Sequence, residues 1–224
     1  MNVSTPALNL EQARFNMVEQ QVRPWDVLDA RVLQALRSVR REVFVPQEFA
    51  QQAFSDVMLP LPHGQYMMSP VVEGRLLQAL SVKEGERVLE IGTGSGFLAA
   101  CFSQLGAVVT SVEIFSELSE QAQKKLIKEG YSNVVLETGD ASQGWNDHHT
   151  YDVIAITGAL PLIPETFKTK LNVGGRLFAV VGKEPAMEAM LLTRNTENDW
   201  QIKSLFETYL PYLVHAKPNV KFSF

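Results

Sequence analysis

The sequence predicts an α/β fold: a doubly wound, mostly parallel sheet with an N-terminal helical extension. Three observations carry this. From Arg87 onward, short runs rich in β-branched residues alternate with stretches of helical periodicity, the pattern of parallel strands joined by crossover helices. The first of those runs ends in a glycine loop, Gly92-Thr93-Gly94-Ser95-Gly96, that opens a helix. The chain has 224 residues, 46% hydrophobic and 20% charged, enough to bury a full core without staples.

In chain order, Leu10, Ala13, Met17, Val18 and Val22 recur at helical spacing, and Pro24 ends that run. Val27, Leu28, Val32, Leu33 and Leu36 predict a second helix, with Asp26 or Asp29 near its start. Residues 45–70 carry Pro46, Pro60, Pro62, Gly64 and Pro70 and read as a long irregular, functional stretch. Ser69-Pro70 reads as an N-cap with proline at the first helical position, opening a helix through Leu80. Strands are expected at 87–91, 108–112, 134–138, 151–157 and 176–181. Helices are expected at 97–105, 116–129 and 164–171, with Gly130 as a helix stop and Gly174-Gly175 as a turn. Residues 189–193 and 201–206 read as later strands that can pair antiparallel at the sheet edge. Residues 1–70 are assigned to helices and a substrate loop within the same domain, and 71–224 to a cofactor-binding core.

A net charge of -5 argues against a nucleic-acid partner. Lys124, Lys125 and Lys128, interleaved with Glu117, Glu120 and Glu129, read as a solvated helix face. The single cysteine, Cys101, lies in an apolar run and reads as a buried small hydrophobe. No run approaches the roughly 20 apolar residues of a membrane span, and Met1–Pro6 lacks the pattern of a leader, so a cytoplasmic protein is expected. His148-His149 lacks further ligands at metal-site spacing, so no metal is expected.

The glycine loop points to an adenosine-containing cofactor. Its spacing is G-x-G-x-G rather than the G-x-G-x-x-G of dinucleotide folds, and Glu90 stands two residues before it. A carboxylate there would repel a pyrophosphate and suits a ligand bearing ammonium and sulfonium charge, S-adenosylmethionine. Glu113, directly after the second strand, can accept from ribose hydroxyls, and Asp140, after the third, can receive an adenine amino group. Acids after successive strands line the carboxyl edge of the sheet, where open α/β sheets bind ligands.

The run Val88 to Gly96, with Glu113 and Gly139-Asp140, resembles the first motifs of class I S-adenosylmethionine-dependent methyltransferases, a Rossmann-like fold. Val39-Arg40-Arg41-Glu42-Val43-Phe44-Val45-Pro46, Ala53 to Asp56, Leu59-Pro60-Leu61, Gly64-Gln65, Gly144-Trp145, Thr157-Gly158-Ala159 and Tyr209 to Leu213 narrow the resemblance to the protein-L-isoaspartate O-methyltransferase family. The resemblance covers nearly the whole chain. It implies methyl transfer from S-adenosylmethionine to the carboxylate of isoaspartyl residues in proteins or peptides. It implies cofactor contacts from Glu90, Gly92, Thr93, Gly94, Ser95, Gly96, Glu113, Ile114, Gly139, Asp140, Ala141 and Thr157, and acceptor-side roles for Asp56, Gln65, Met68 and Ser69. Where the family loop reads G-Q-T-I-S-x-P, this chain reads Gly64-Gln65-Tyr66-Met67-Met68-Ser69-Pro70, with Met68 in place of the serine that faces the reacting carboxylate. Gly158 and Ala141 are smaller departures. Met68 keeps open another acceptor, including a small molecule, or cofactor binding without repair activity.

Overall fold

The computed structural model describes residues 9–217; Met1–Pro6, read for a leader, lies outside them. Seven strands form one sheet in the order β5-β4-β3-β6-β7-β8-β9, where β3 is Arg87–Ile91, β4 Val108–Glu113, β5 Val134–Thr138, β6 Tyr151–Leu160, β7 Leu171–Lys183, β8 Ala186–Thr196 and β9 Asp199–Glu207. The first five pair parallel, and β8 and β9 finish the edge antiparallel, as expected. Helices α5 (Phe97–Gln104), α6 (Ser116–Lys128) and α7 (Glu165–Lys170) make the crossovers.

Side-chain alternation divides the core between the two sheet faces. Val88, Val109, Val153 and Phe178 point to a cluster shared with Met17, Leu36, Phe44, Leu76 and Phe97. Their sequence neighbours Leu89, Ile154 and Leu177 point to the opposite cluster, with Phe167. The N-terminal helices therefore close one face of the same sheet.

Several expectations change. The first helix is α1 (Leu10–Asn16) continued by a π-helical turn, Met17–Val22, and a short 3-10 turn, Arg23–Trp25. The second, α2, is Ala30–Ser38 and starts later because Asp29 Oδ1 accepts from the Arg31 N–H at 2.8 Å. A short helix α3 (Arg41–Phe44) follows, and the irregular stretch contains a hairpin, β1 (Leu59–Leu61) with β2 (Gln65–Met67), before α4 (Pro70–Leu80). Gly174-Gly175 is no separate turn; it falls where the β6–β7 register jumps between Tyr151↔Leu171 and Val153↔Arg176. Lys125 is not a solvated charge: its Nζ donates to the Phe44 carbonyl at 2.7 Å and ties α6 to α3. Cys101 is fully buried. Among the described residues, no helix is long and apolar enough to cross a membrane and no acidic, His or Cys cluster could hold a metal.

Candidate functional site

Because β5, β4, β3 and β6 run parallel side by side, their carboxyl ends share one edge. A solvent-open cleft of about 700 Å³ lies there, lined by Gly92, Gly94, Glu113, Ile114, Gly139, Asp140, Ala141 and Thr157, all expected at the cofactor. A smaller cavity, also open to solvent and about 300 Å³, takes Glu90, Thr93 and Ser95. The two meet at Tyr66, Gly92, Gly94 and Thr157. Gly96 lines neither. It has φ +86°, and a Cβ there would stand 3.0 Å from Ala122 Cβ of α6, so its smallness serves the approach of two helices rather than the ligand. Gly92, at φ +94°, is required by the cleft itself: a Cβ would lie 2.3 Å from Thr157 Oγ1, which sits within hydrogen-bonding reach of the Ile91 and Gly92 carbonyls at 2.8 and 2.7 Å.

Glu90 is fully buried. Its Oε2 accepts from Ser111 Oγ at 2.5 Å, and that hydroxyl is 2.6 Å from Thr93 Oγ1. Its Oε1 has no partner among the described residues. Burial pushes the carboxyl up to about 8, the Ser111 hydrogen bond opposes this, and the negative charges of Glu113 and Glu73 reinforce it. A buried, unsatisfied carboxylate is costly unless a cationic donor meets it, and a cofactor ammonium would supply one. Glu113, 4% exposed, accepts from the Gly94 N–H at 2.8 Å and the Phe115 N–H at 3.1 Å, one on each oxygen. It thus sets the loop while leaving lone pairs that could accept from ribose hydroxyls. The residues present fit an S-adenosylmethionine-type ligand.

Asp140 accepts from the Ser142 N–H at 2.9 Å and stands 2.8 Å from His215 Nδ1. Desolvation works against its ionisation, but these two partners outweigh it and hold the carboxyl below its usual range. The C-terminal stretch thus brings His215 to Asp140, which lines the cleft. Residues 210–214 line the same cleft, anchored where Ala159 exchanges backbone hydrogen bonds with Pro211 and Leu213. His63 instead stacks on Phe115 at 4.3 Å and meets Glu117, an ordinary loop role. Trp145 packs against Gly139 rather than lining the cleft.

The acceptor-side residues separate. Gln65 lines the cleft and Met68 the smaller cavity; Ser69 and Asp56 line neither. Ser69 occupies the N-cap position of α4, but its side chain makes no cap hydrogen bond. Asp56 does that work, its Oδ1 accepting from the Val71 N–H at 3.0 Å. The expectation for Asp56→Ala is therefore a loss of about 1 kcal/mol of stability and roughly 2–4 °C in Tm, measured by thermal unfolding. Weaker turnover at unchanged Tm would return Asp56 to the acceptor site.

Two residues to which the sequence assigns no role meet beside the smaller cavity. Arg41, fully buried, donates from Nε to the Ala53 carbonyl at 2.9 Å and from Nη2 to the Met68 carbonyl at 2.8 Å, and pairs through Nη1 with Glu73 of α4. Glu73 lines the smaller cavity. A charged residue on the apolar stripe of α4 was the available signal.

The family model described as Protein-L-isoaspartate(D-aspartate) O-methyltransferase (PCMT) matches residues 13–216. Protein-L-isoaspartate O-methyltransferase 1 of Rhodopseudomonas palustris (strain HaA2) is 37% identical, covering 91% of this chain and 83% of its own. Protein-L-isoaspartate O-methyltransferase 2 of Pelobacter propionicus is 37% identical, covering 96% of each. A Plasmodium falciparum structure solved with S-adenosyl-L-homocysteine shares the fold at TM-score 0.77 and 16% identity, over 95% of this chain and 100% of that one.

Proposed function

The chain belongs to the protein-L-isoaspartate(D-aspartate) O-methyltransferase family, and on that premise we propose that it methylates the carboxylate of L-isoaspartyl residues in proteins or peptides, using S-adenosylmethionine. The observation that carries the reading is the junction of the two cavities at Tyr66, Gly92, Gly94 and Thr157. It sets the cleft beside the substrate loop, whose Gln65 and Tyr66 line it.

S-adenosylmethionine held there would supply an electrophilic methyl group for the acceptor oxygen, with a neutral thioether as the leaving group. An acceptor carboxylate is already ionised near neutral pH, since its reference pKa is about 4. The chain therefore has no proton to remove. Its task is to hold the acceptor oxygen in line and keep water away. Glu90 would hold the ammonium, Glu113 the ribose hydroxyls and Asp140 the adenine amino group. Leu61, Met67, Met68 and Leu98 give the smaller cavity apolar walls, which suits exclusion of water. We place this activity in the cytoplasm.

Incubation with methyl-labelled cofactor and an isoaspartyl peptide tests the reading. Label is expected in the isoaspartyl peptide and not in its aspartyl counterpart. Equal or absent incorporation in both defeats it.

A further inference from the structure

The smaller cavity presents two carboxyls, Glu90 from β3 and Glu73 from the first turn of α4, beside the apolar Met67 and Met68. Glu90 is accounted for by the cofactor ammonium; Glu73 is not. It is 2% exposed, and its Oε2 is paired with Arg41 Nη1, while Oε1 takes no hydrogen bond from the described residues. Arg41 does not line the cavity, and its Nε and Nη2 are committed to the Ala53 and Met68 carbonyls. An acceptor carboxylate entering here meets Glu73 rather than the guanidinium. The other titratable neighbours are Asp56 on the loop, Glu90 on β3 and Cys101 on α5.

A second carboxylate brought beside Glu73, which is 2% exposed, raises the cost of ionising both and favours a proton kept by the pair. We propose that Glu73 contacts the acceptor, holding a proton when the substrate carboxylate is bound and donating to it the hydrogen bond that a loop hydroxyl would give if Met68 were serine. The proposal rests on the carboxyl-methylation reading above. Burial already pushes Glu73 up to about 8, against the pull of Arg41 and with help from Asp56. Below that pH the acceptor finds the proton in place; above it, binding must take one up. Methyl transfer moves no proton, so the effect falls on acceptor binding.

The test holds the cofactor saturating, so that Glu90 is ion-paired, and uses an N-acetylated isoaspartyl peptide whose own charges do not titrate above pH 6.5. Its KM is expected to rise toward tenfold per pH unit above about 8 while kcat stays level. Calorimetry on protein loaded with S-adenosylhomocysteine at pH 9, in buffers of different ionisation enthalpy, is expected to show uptake approaching one proton per peptide. Glu73→Gln, which cannot titrate, is expected to flatten the KM profile. Turnover with a KM independent of pH, no proton uptake, or a folded Glu73→Gln variant that keeps the rise overturns the proposal. If that variant does not fold, proton uptake by the unaltered protein decides. Absence of turnover at every pH instead defeats the carboxyl-methylation reading.

Discussion

Replacing Glu90 with alanine is expected to weaken S-adenosylhomocysteine binding by about 10- to 150-fold, the equivalent of one charge-assisted hydrogen bond of about 1.5–3 kcal/mol. Titration calorimetry reads it directly. The physical reason lies in the unpartnered Oε1 of a fully buried side chain. That oxygen takes no hydrogen bond from the described residues, and burial pushes the group up to about 8, with Glu113 and Glu73 adding to the shift and Ser111 opposing it. At pH 7 the free carboxyl is thus mostly protonated, and a ligand ammonium must displace that proton. Binding should release about 0.9 proton per site at pH 7, and affinity should tighten about tenfold per unit between pH 5.5 and 7.5. Glu90→Gln should remove both effects. Affinity that does not change with pH across that window would place the ammonium elsewhere.

The same shift has a consequence for the ligand-free fold, with a definite sign. The folded pKa of Glu90 is raised above its ordinary 4.5, so its contribution to stability is complete below pH 4.5 and is lost as pH rises toward 8. Glu90→Gln should therefore gain stability relative to the parent chain over that interval, and cofactor should reverse the order.

Local backbone chemistry made much of this legible in the sequence. The strand–loop–helix setting of Gly92 to Gly96, the acid that ends β4 and the acid after β5 place candidate ligand groups at one sheet edge with no need of coordinates. What stayed hidden depends on long-range packing. Gly96 looks like a ligand glycine in sequence and is a helix-packing glycine in space, because the neighbour that demands it, Ala122, lies in the next helix. Ser69-Pro70 has the local signature of an N-cap, yet Asp56, 15 positions away from Val71, supplies the hydrogen bond. His215 reaches Asp140 across 75 positions. The hairpin of β1 and β2 was masked by Pro60 and Pro62, which suppress any strand signal.

Arg41→Met should have the largest effect on stability. The substitution strips the guanidinium from the Ala53 and Met68 carbonyls and from its place 4.8 Å over the Phe97 ring, and leaves Glu73 buried without its partner. Above about pH 8, where Glu73 is ionised, breaking the buried pair from one side costs about 3–5 kcal/mol, a large part of the roughly 5–15 kcal/mol that holds a domain together. Tm should fall by about 6–20 °C. The loss should deepen with pH, because Glu73 can escape by protonating only below its raised pKa. Adding Glu73→Leu should restore most of the stability, since the pair's attraction is largely offset by its desolvation. It should not restore the acceptor KM: the Met68 carbonyl has lost its tether, and the carboxyl at the acceptor has gone. A double variant as unstable as Arg41→Met alone would mean that Arg41 acts through the Ala53 and Met68 carbonyls and not through Glu73. Recovery of stability without recovery of KM would separate the two duties of the pair, one to the fold and one to the loop that meets the substrate.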